Sequence, residues 1–371
     1  MALVLISPPA VEPVTISELK NFLKVDPGDD TQDDVIATLA MAARSWCEGF
    51  TGRRFVQQTW QLLMDFFPGY IDLKIAGAKV SSPFVSGSNA VLVGIRYAVL
   101  LPYPPCQSLV SFIYQNANGQ LTSMITGPTN IGGVTNTEGA PIGINTTEPH
   151  GLQSGASVVI AGNSPLLALL DGQAGQVITV TDANDFLLNG SIGTGSSIPA
   201  VGSATGFNFV ADLASNPGRL TPVFGQMWPV ARVVVNAVAI TFVSGYAIPV
   251  TVSMDGTTGN ITATGYTWQA TDIGRPISVP GAGMNGMTLN TAIASITSGT
   301  VAVARNKSST GVSDVTALLV NAPSANPSHW EMFKAGIKLL VAHWYENRVP
   351  DESNIPMSVK AVLWPTRDLR F

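Results

Sequence analysis

Charge is scarce in this sequence. Asp, Glu, Lys and Arg make up 12% of its 371 residues, about half the usual share of a soluble protein. No Lys or Arg occurs between Arg96 and Arg219. Cysteine is nearly absent. Cys47 and Cys106 form no CxxC pattern and the three histidines stand apart, so neither a zinc site nor a disulfide framework is expected. The longest apolar run, Val233 to Val243, is too short for a bilayer and is interrupted by Asn236 and Thr241. The opening Met1-Ala-Leu-Val-Leu-Ile6 lacks a basic residue and soon meets Pro8-Pro9, which does not fit a signal peptide. The net charge of −5 speaks against DNA or an anionic membrane as a partner held by charge. Phosphate-binding and nucleophile-elbow motifs are missing, and Gly281-Ala-Gly283 lacks a strand–helix context.

What is present is glycine, proline and apolar side chains. The chain holds 36 Gly and 25 Pro, and its hydrophobic share is 46%. Disordered chains need charge and lack apolar residues, so disorder is excluded. The length suits two or three domains. A sparsely charged, hydropathic surface is expected where much of it becomes subunit interface. Composition therefore favours a structural or assembly protein over an enzyme, and no catalytic, metal or cofactor residue is nominated.

The two ends read as helical. Thr15-Ile-Ser-Glu18 is a capping box, opening a helix from Ile16 to about Lys24 with Ile16, Leu19, Phe22 and Leu23 on one side. A second helix is predicted to start near Asp30 or Thr31. Asp33 and Asp34 lie in its first turn, Ile36, Leu39, Ala43, Trp46, Cys47 and Phe50 on its apolar face, and Gly52 at its end. Phe55 to Phe67 reads as extended, and Ser108 to Ile125 as a hairpin turning at Asn116–Gly119. Near the other end, Asn326-Pro327-Ser328 starts a helix whose stripe is Trp330, Phe333, Ile337, Leu340, Val341 and Trp344. Pro356 opens a short last helix to about Trp364.

Between these ends lie two Gly/Thr/Ser-rich blocks of short strands and turns, the first read as a small barrel or sandwich and the second as further strands. The fold class expected is α+β. A helical core formed by the chain ends carries a small antiparallel sheet (1–131, 206–249 and 323–371). Two all-β modules, 132–205 and 250–322, are inserted into it.

The isolated polar residues have ordinary explanations. His150 sits in a Pro-His-Gly turn, His329 in a first helical turn, and His343 beside the Trp344 stripe. The run Asp26 to Asp34 fails the spacing of a calcium loop and suits capping and solvation. Arg53-Arg54 and Arg367/Arg370 are read as salt-bridging or subunit-contact residues, and Tyr266 and Trp268 as core.

Several stretches, taken in order, resemble one family. They are Pro13-Val-Thr-Ile-Ser-Glu-Leu-Lys-Asn-Phe-Leu-Lys-Val-Asp26, Ala42-Ala-Arg-Ser-Trp-Cys-Glu-Gly-Phe-Thr-Gly-Arg-Arg-Phe55, Gln58-Thr-Trp-Gln61, Leu101-Pro-Tyr-Pro-Pro105, Pro217-Gly-Arg-Leu220, Trp228-Pro229, Ala239-Ile-Thr-Phe-Val-Ser-Gly-Tyr246 and Leu339-Leu-Val-Ala-His-Trp-Tyr-Glu-Asn-Arg348. The chain resembles the head–tail connector proteins of tailed bacteriophages over about half its length. The first β block, with Pro149-His-Gly-Leu152 and Asp185-Phe-Leu-Leu188, resembles a small β module named for ubiquitin-activating enzymes and seen in phage proteins. The second, with Ala270-Thr-Asp-Ile-Gly-Arg-Pro-Ile-Ser-Val-Pro-Gly-Ala-Gly283, is similar to a segment of phage tail fibres.

The resemblance implies a virion protein at the neck, made in the bacterial host cytoplasm. It implies a ring of about twelve copies that docks beneath the portal protein and offers a platform for a tail terminator or stopper. Genome DNA would pass through the lumen without specific binding, and no membrane, cofactor or reaction is implied. Trp364, Arg367, Arg370 and Phe371 are the portal-docking candidates. The alternative is a tail or baseplate receptor-binding, fibre-like protein whose β modules contact host glycans.

Overall fold

The structure, a computed structural model, describes residues 1–68, 98–170, 175–223, 226–320, 327–347 and 355–368. Its elements begin with β1 (Ala2–Ser7), α1 (Ile16–Leu23), α2 (Asp33–Thr51), β2 (Gln58–Met64), β3 (Val99–Leu101), β4 (Cys106–Gln115) and β5 (Leu121–Ser123). There follow β6 (Ile125–Thr135), β7 (Gly143–Thr146), β8 (Ser157–Ala161), α3 (Ser164–Leu169), β9 (Gly175–Val180), β10 (Asp185–Leu188), β11 (Ser203–Phe207), β12 (Val210–Asp212), β13 (Gly218–Thr221) and β14 (Val238–Ser244). The last group is β15 (Ala247–Asp255), β16 (Asn260–Thr264), β17 (Pro276–Val279), β18 (Leu289–Ile296), β19 (Val301–Ala304), β20 (Gly311–Val320), α4 (Pro327–Asn347) and α5 (Met357–Leu363). The fold is mixed, with more strand than helix. A five-stranded sheet has the order β1-β2-β14-β4-β5, and a three-stranded one the order β12-β13-β3. Two six-stranded barrels close as β10-β7-β6-β11-β8-β9 and β15-β16-β19-β18-β17-β20.

The chain divides into two compact units. The first takes Met1–Val4, Gln61–Leu101 and Leu109–Phe242; the second takes Leu5–Trp60, Pro102–Ser108 and Val243–Phe371.

In the first unit, the barrel is closed where its opening strand meets its last, with Ile125 opposite Phe207. The chain therefore enters and leaves the barrel at one point, the geometry a tolerated insertion needs. Its strands reach beyond 132–205 at both ends. Pro128 looks like a strand breaker, but the β6–β11 ladder shifts register there, between Thr129–Ala204 and Thr126–Gly206. A bulge lets a residue without an N–H sit inside a barrel. The interior holds Ile144, Val158, Ile178, Phe186 and Leu188. The short helix α3 went unpredicted. It is capped by the Asn163 side chain, which accepts the Leu166 N–H (3.2 Å), and it buries Leu166. Outside the barrel, Phe67 stacks on Trp228 (5.1 Å between centroids) and packs against Phe112. Phe112 in turn meets Phe209.

In the second unit, α1, α2, α4 and α5 pack around one core. Leu19, Ile36, Ala43 and Cys47 meet Phe333, Ile337, Leu340, Val341, Val359 and Leu363 there. The predicted stripe of α4 is buried throughout. The predicted face of α1 is not: Leu19 is buried, whereas Ile16 and Phe22 are exposed. An eight-residue helix laid on a larger core covers only a narrow strip. The second barrel is not a detached addition. Its first and last strands pair from Ala247–Val320 to Asp255–Gly311, and Ala247, Leu318 and Val320 lie in the same core cluster as the helix residues.

Candidate docking site at the C-terminal turn

After α5 the chain makes a 3₁₀ turn over Trp364–Thr366. The Thr366 hydroxyl donates to Leu363 O (2.7 Å), which tightens the turn and buries Thr366. The next residues run back onto the C-terminal end of α2. Arg367 Nε donates to Phe50 O (3.1 Å) and the Asp368 N–H to Thr51 O (2.8 Å). Arg53 Nε donates to Thr366 O (2.6 Å), and Arg53 Nη1 to the Tyr246 hydroxyl (2.9 Å). Carbonyls at a helix C-terminus lack intrahelical partners. Here two of them are capped by a segment more than 300 residues away, while Gly52 turns the chain at φ +70°.

The Arg367 guanidinium lies 4.7 Å from the Phe50 ring centroid and 4.9 Å from that of Trp364. Phe50 stacks on Trp46 at 5.2 Å. The result is a ladder of Trp46, Phe50, Arg367 and Trp364, with Trp364 outermost and 57% exposed. Trp and Arg are the side chains that most often dominate interfaces. Of the four residues nominated from the sequence, Trp364 and Arg367 share this ladder; Arg370 and Phe371 lie outside the described residues.

The other nominated groups serve the fold. Arg54 is buried between Trp60 (4.8 Å) and Tyr103 (3.4 Å), so Arg53 and Arg54 are internal. His150 Nδ1 accepts the Leu152 N–H (3.0 Å), leaving Nε2–H for Asp182 O (3.1 Å). Burial, with the Arg53 charge, holds His329 below its usual pKa. His343 takes Asn347 at the end of α4. In the acidic run, Asp26 and Asp29 accept the Gly28 and Thr31 N–H groups, and Asp33 pairs with Lys20 (2.6 Å). Tyr266 donates to Asp272, which also holds Arg275, and its ring meets buried Trp268 edge-on at 5.2 Å. Neither ring is a free platform for a sugar.

The buried carboxylates Glu48 and Glu18 were missed. Glu48 accepts from Phe55 N–H (2.9 Å), Gln58 (3.0 Å) and Arg44 (3.2 Å); burial still pushes its pKa up. Glu18 caps α1, accepts from Lys334 Nζ (2.7 Å) and from Asn290 Nδ2 (3.0 Å), and so ties α1, α4 and the second barrel together. Its place in a capping box was visible; its distant partners were not.

No protein-family model matches the chain, and no curated protein matches it. Among solved structures, it is similar to a chain in the neck of an empty gene transfer agent particle computed with C6 symmetry. The TM-score is 0.41 at 12% identity, over 100% of this chain and 97% of that one. It is also similar to a chain in the virion of a native gene transfer agent particle, with TM-score 0.35 and 11% identity over the same shares. Likenesses of this size establish no shared fold.

Proposed function

We propose that the protein is a structural component of a phage-like virion, a connector ring between head and tail that carries out no reaction. The observation that carries this reading is the common core of α1, α2, α4 and α5. The stretches that resemble connector proteins, residues 13–26, 42–55 and 339–348, contribute to three of those four helices. A rigid wall element is what a ring needs, since each heterologous contact must repeat at a fixed angle until the ring closes. Contacts that are individually weak then hold together by multiplicity. The Trp364–Arg367 ladder is the surface offered to the portal, anchored by the cap on α2 and exposed at its tip. The barrels face neighbouring subunits or tail components.

Cryo-electron microscopy of particles carrying a labelled copy tests the reading. Density at the head–tail joint is expected, and particles made without the protein should accumulate as heads lacking tails. Label at fibre tips would instead support the receptor-binding alternative and sink the connector.

A further inference from the structure

In the first unit, residues 227–236 follow no regular secondary structure, yet the backbone is held. Ala231 bridges Asn116 in antiparallel fashion. The Arg232 N–H donates to Gln115 O (2.8 Å), and the Asn236 N–H to Asp65 Oδ1 (2.8 Å). Strapped to the β4–β5 hairpin in this way, the segment buries Trp228 and Ala231 and leaves its other apolar side chains in solvent. Met227 is 74% exposed, Val233 66% and Val235 79%, with Val230 also exposed. Single exposed apolar residues need no explanation, but five of them within nine residues of a pinned segment mark an interaction surface. Its valines are stiff at χ1, so they lose little freedom when covered.

The charges of the unit indicate what covers it. Arg219 is paired with Asp212 at 2.9 Å. Arg232, exposed in the middle of the apolar run, is the one cation without a carboxylate partner among the described residues of this unit. The barrel has the opposite imbalance, with no Lys or Arg in its sequence. Three of its carboxylates, those of Glu148, Asp182 and Asp185, gather at one rim. Asp182 Oδ1 accepts the N–H groups of Asn184 and Asp185. Asn184 Nδ2 donates to Thr146 O, and the Thr146 hydroxyl to Glu148 O. Val177 is exposed on β9, the strand that leads to this rim. An unpaired cation among valines and a cation-free acidic rim, on a barrel with an exposed valine further along β9, are complementary surfaces. Because they are different patches of one chain, their pairing joins copies head to tail.

We propose that the Met227–Val235 segment of one copy docks on the acidic barrel rim of a second copy. Arg232 faces Glu148, and the valines cover the barrel wall around Val177. The proposal rests on the ring reading only for its need of a repeating self-contact, and its test does not involve the portal or the particle.

Native mass spectrometry and sedimentation of the full chain provide that test. The wild type should self-associate. Arg232→Glu, and separately the double change Val233→Asp with Val235→Asp, should weaken association by about tenfold or more. Unfolding temperatures should hold, because these side chains are exposed. Adding Glu148→Lys to Arg232→Glu in one chain should recover assembly, since the pair is then reversed; among the described residues the Glu148 side chain makes no hydrogen bond whose loss would confuse the result. Unchanged association in both first variants overturns the proposal, and so does a loss that Glu148→Lys fails to recover. A wild type that stays monomeric overturns it too and leaves the valine segment to another particle protein. In that case the connector reading still stands or falls on where label appears in particles.

Discussion

Glu18 shows how one residue can hold three elements at once. Its carboxylate and Lys334 are both nearly inaccessible, with side chains 8% and 3% exposed. Asn290 donates to Glu18 and accepts from Lys334 (3.0 Å) and Ser278 (2.6 Å). Removing one partner of a buried pair strands the other charge, so Glu18→Gln should lower stability by about 3 kcal/mol. Replacing both, as Glu18→Leu with Lys334→Met, should cost much less, and a denaturant series would read the difference. Burial alone would raise the Glu18 pKa, but Lys334, with Lys338 and Asn290, outweighs it and lowers it below the usual carboxyl range. A lowered carboxyl stabilises the fold fully above its unfolded pKa, and that contribution is lost as pH falls through the folded value. Wild type should therefore lose stability below about pH 4.5 more steeply than Glu18→Gln; parallel curves would contradict this.

At the scale of elements, the ends of helices are where distant chain segments meet. The C-terminus of α2 is finished by Arg367 and Asp368, and Arg53 fastens Thr366 beside it. Arg53→Ala leaves the Thr366 carbonyl and the Tyr246 hydroxyl without that donor. A loss of about 2 kcal/mol is expected, with faster proteolysis at the C-terminal turn as the local readout. In the first barrel, a Cβ on Gly206 would collide with the Leu152 side chain at Cδ2. Because Leu152 is buried, Gly206→Ala should destabilise the unit by about 1–3 kcal/mol through overpacking, measurable by thermal unfolding. Local signals were legible here. The Thr15–Glu18 capping box, the Gly52 stop and the α4 stripe all stand in the structure, because each depends on neighbours within a turn or two. The exposure of Ile16 and Phe22, and the entry of Pro128 into a strand, depend on what lies opposite.

For the whole molecule, the separation of fold from surface is the testable feature. Trp364 is mostly solvent-exposed, so Trp364→Ala should leave the unfolding midpoint nearly unchanged, within about 0.5 kcal/mol. If the ladder docks on the portal, the same change should remove the protein from purified particles; normal incorporation would dismiss that role.

Composition and periodicity determined by themselves that this is a mixed chain, with helices near its two ends and two runs of short strands between them. Those patterns follow from backbone geometry, which repeats every few residues. They could not say that each run of strands would close into a barrel, that the second would share the helices' core, or that Glu18 would find Lys334 and Arg367 would find Phe50. Such pairings join residues tens to hundreds of positions apart. They are selected by shape, burial and the need to satisfy every enclosed charge, and those constraints exist only once the chain has folded.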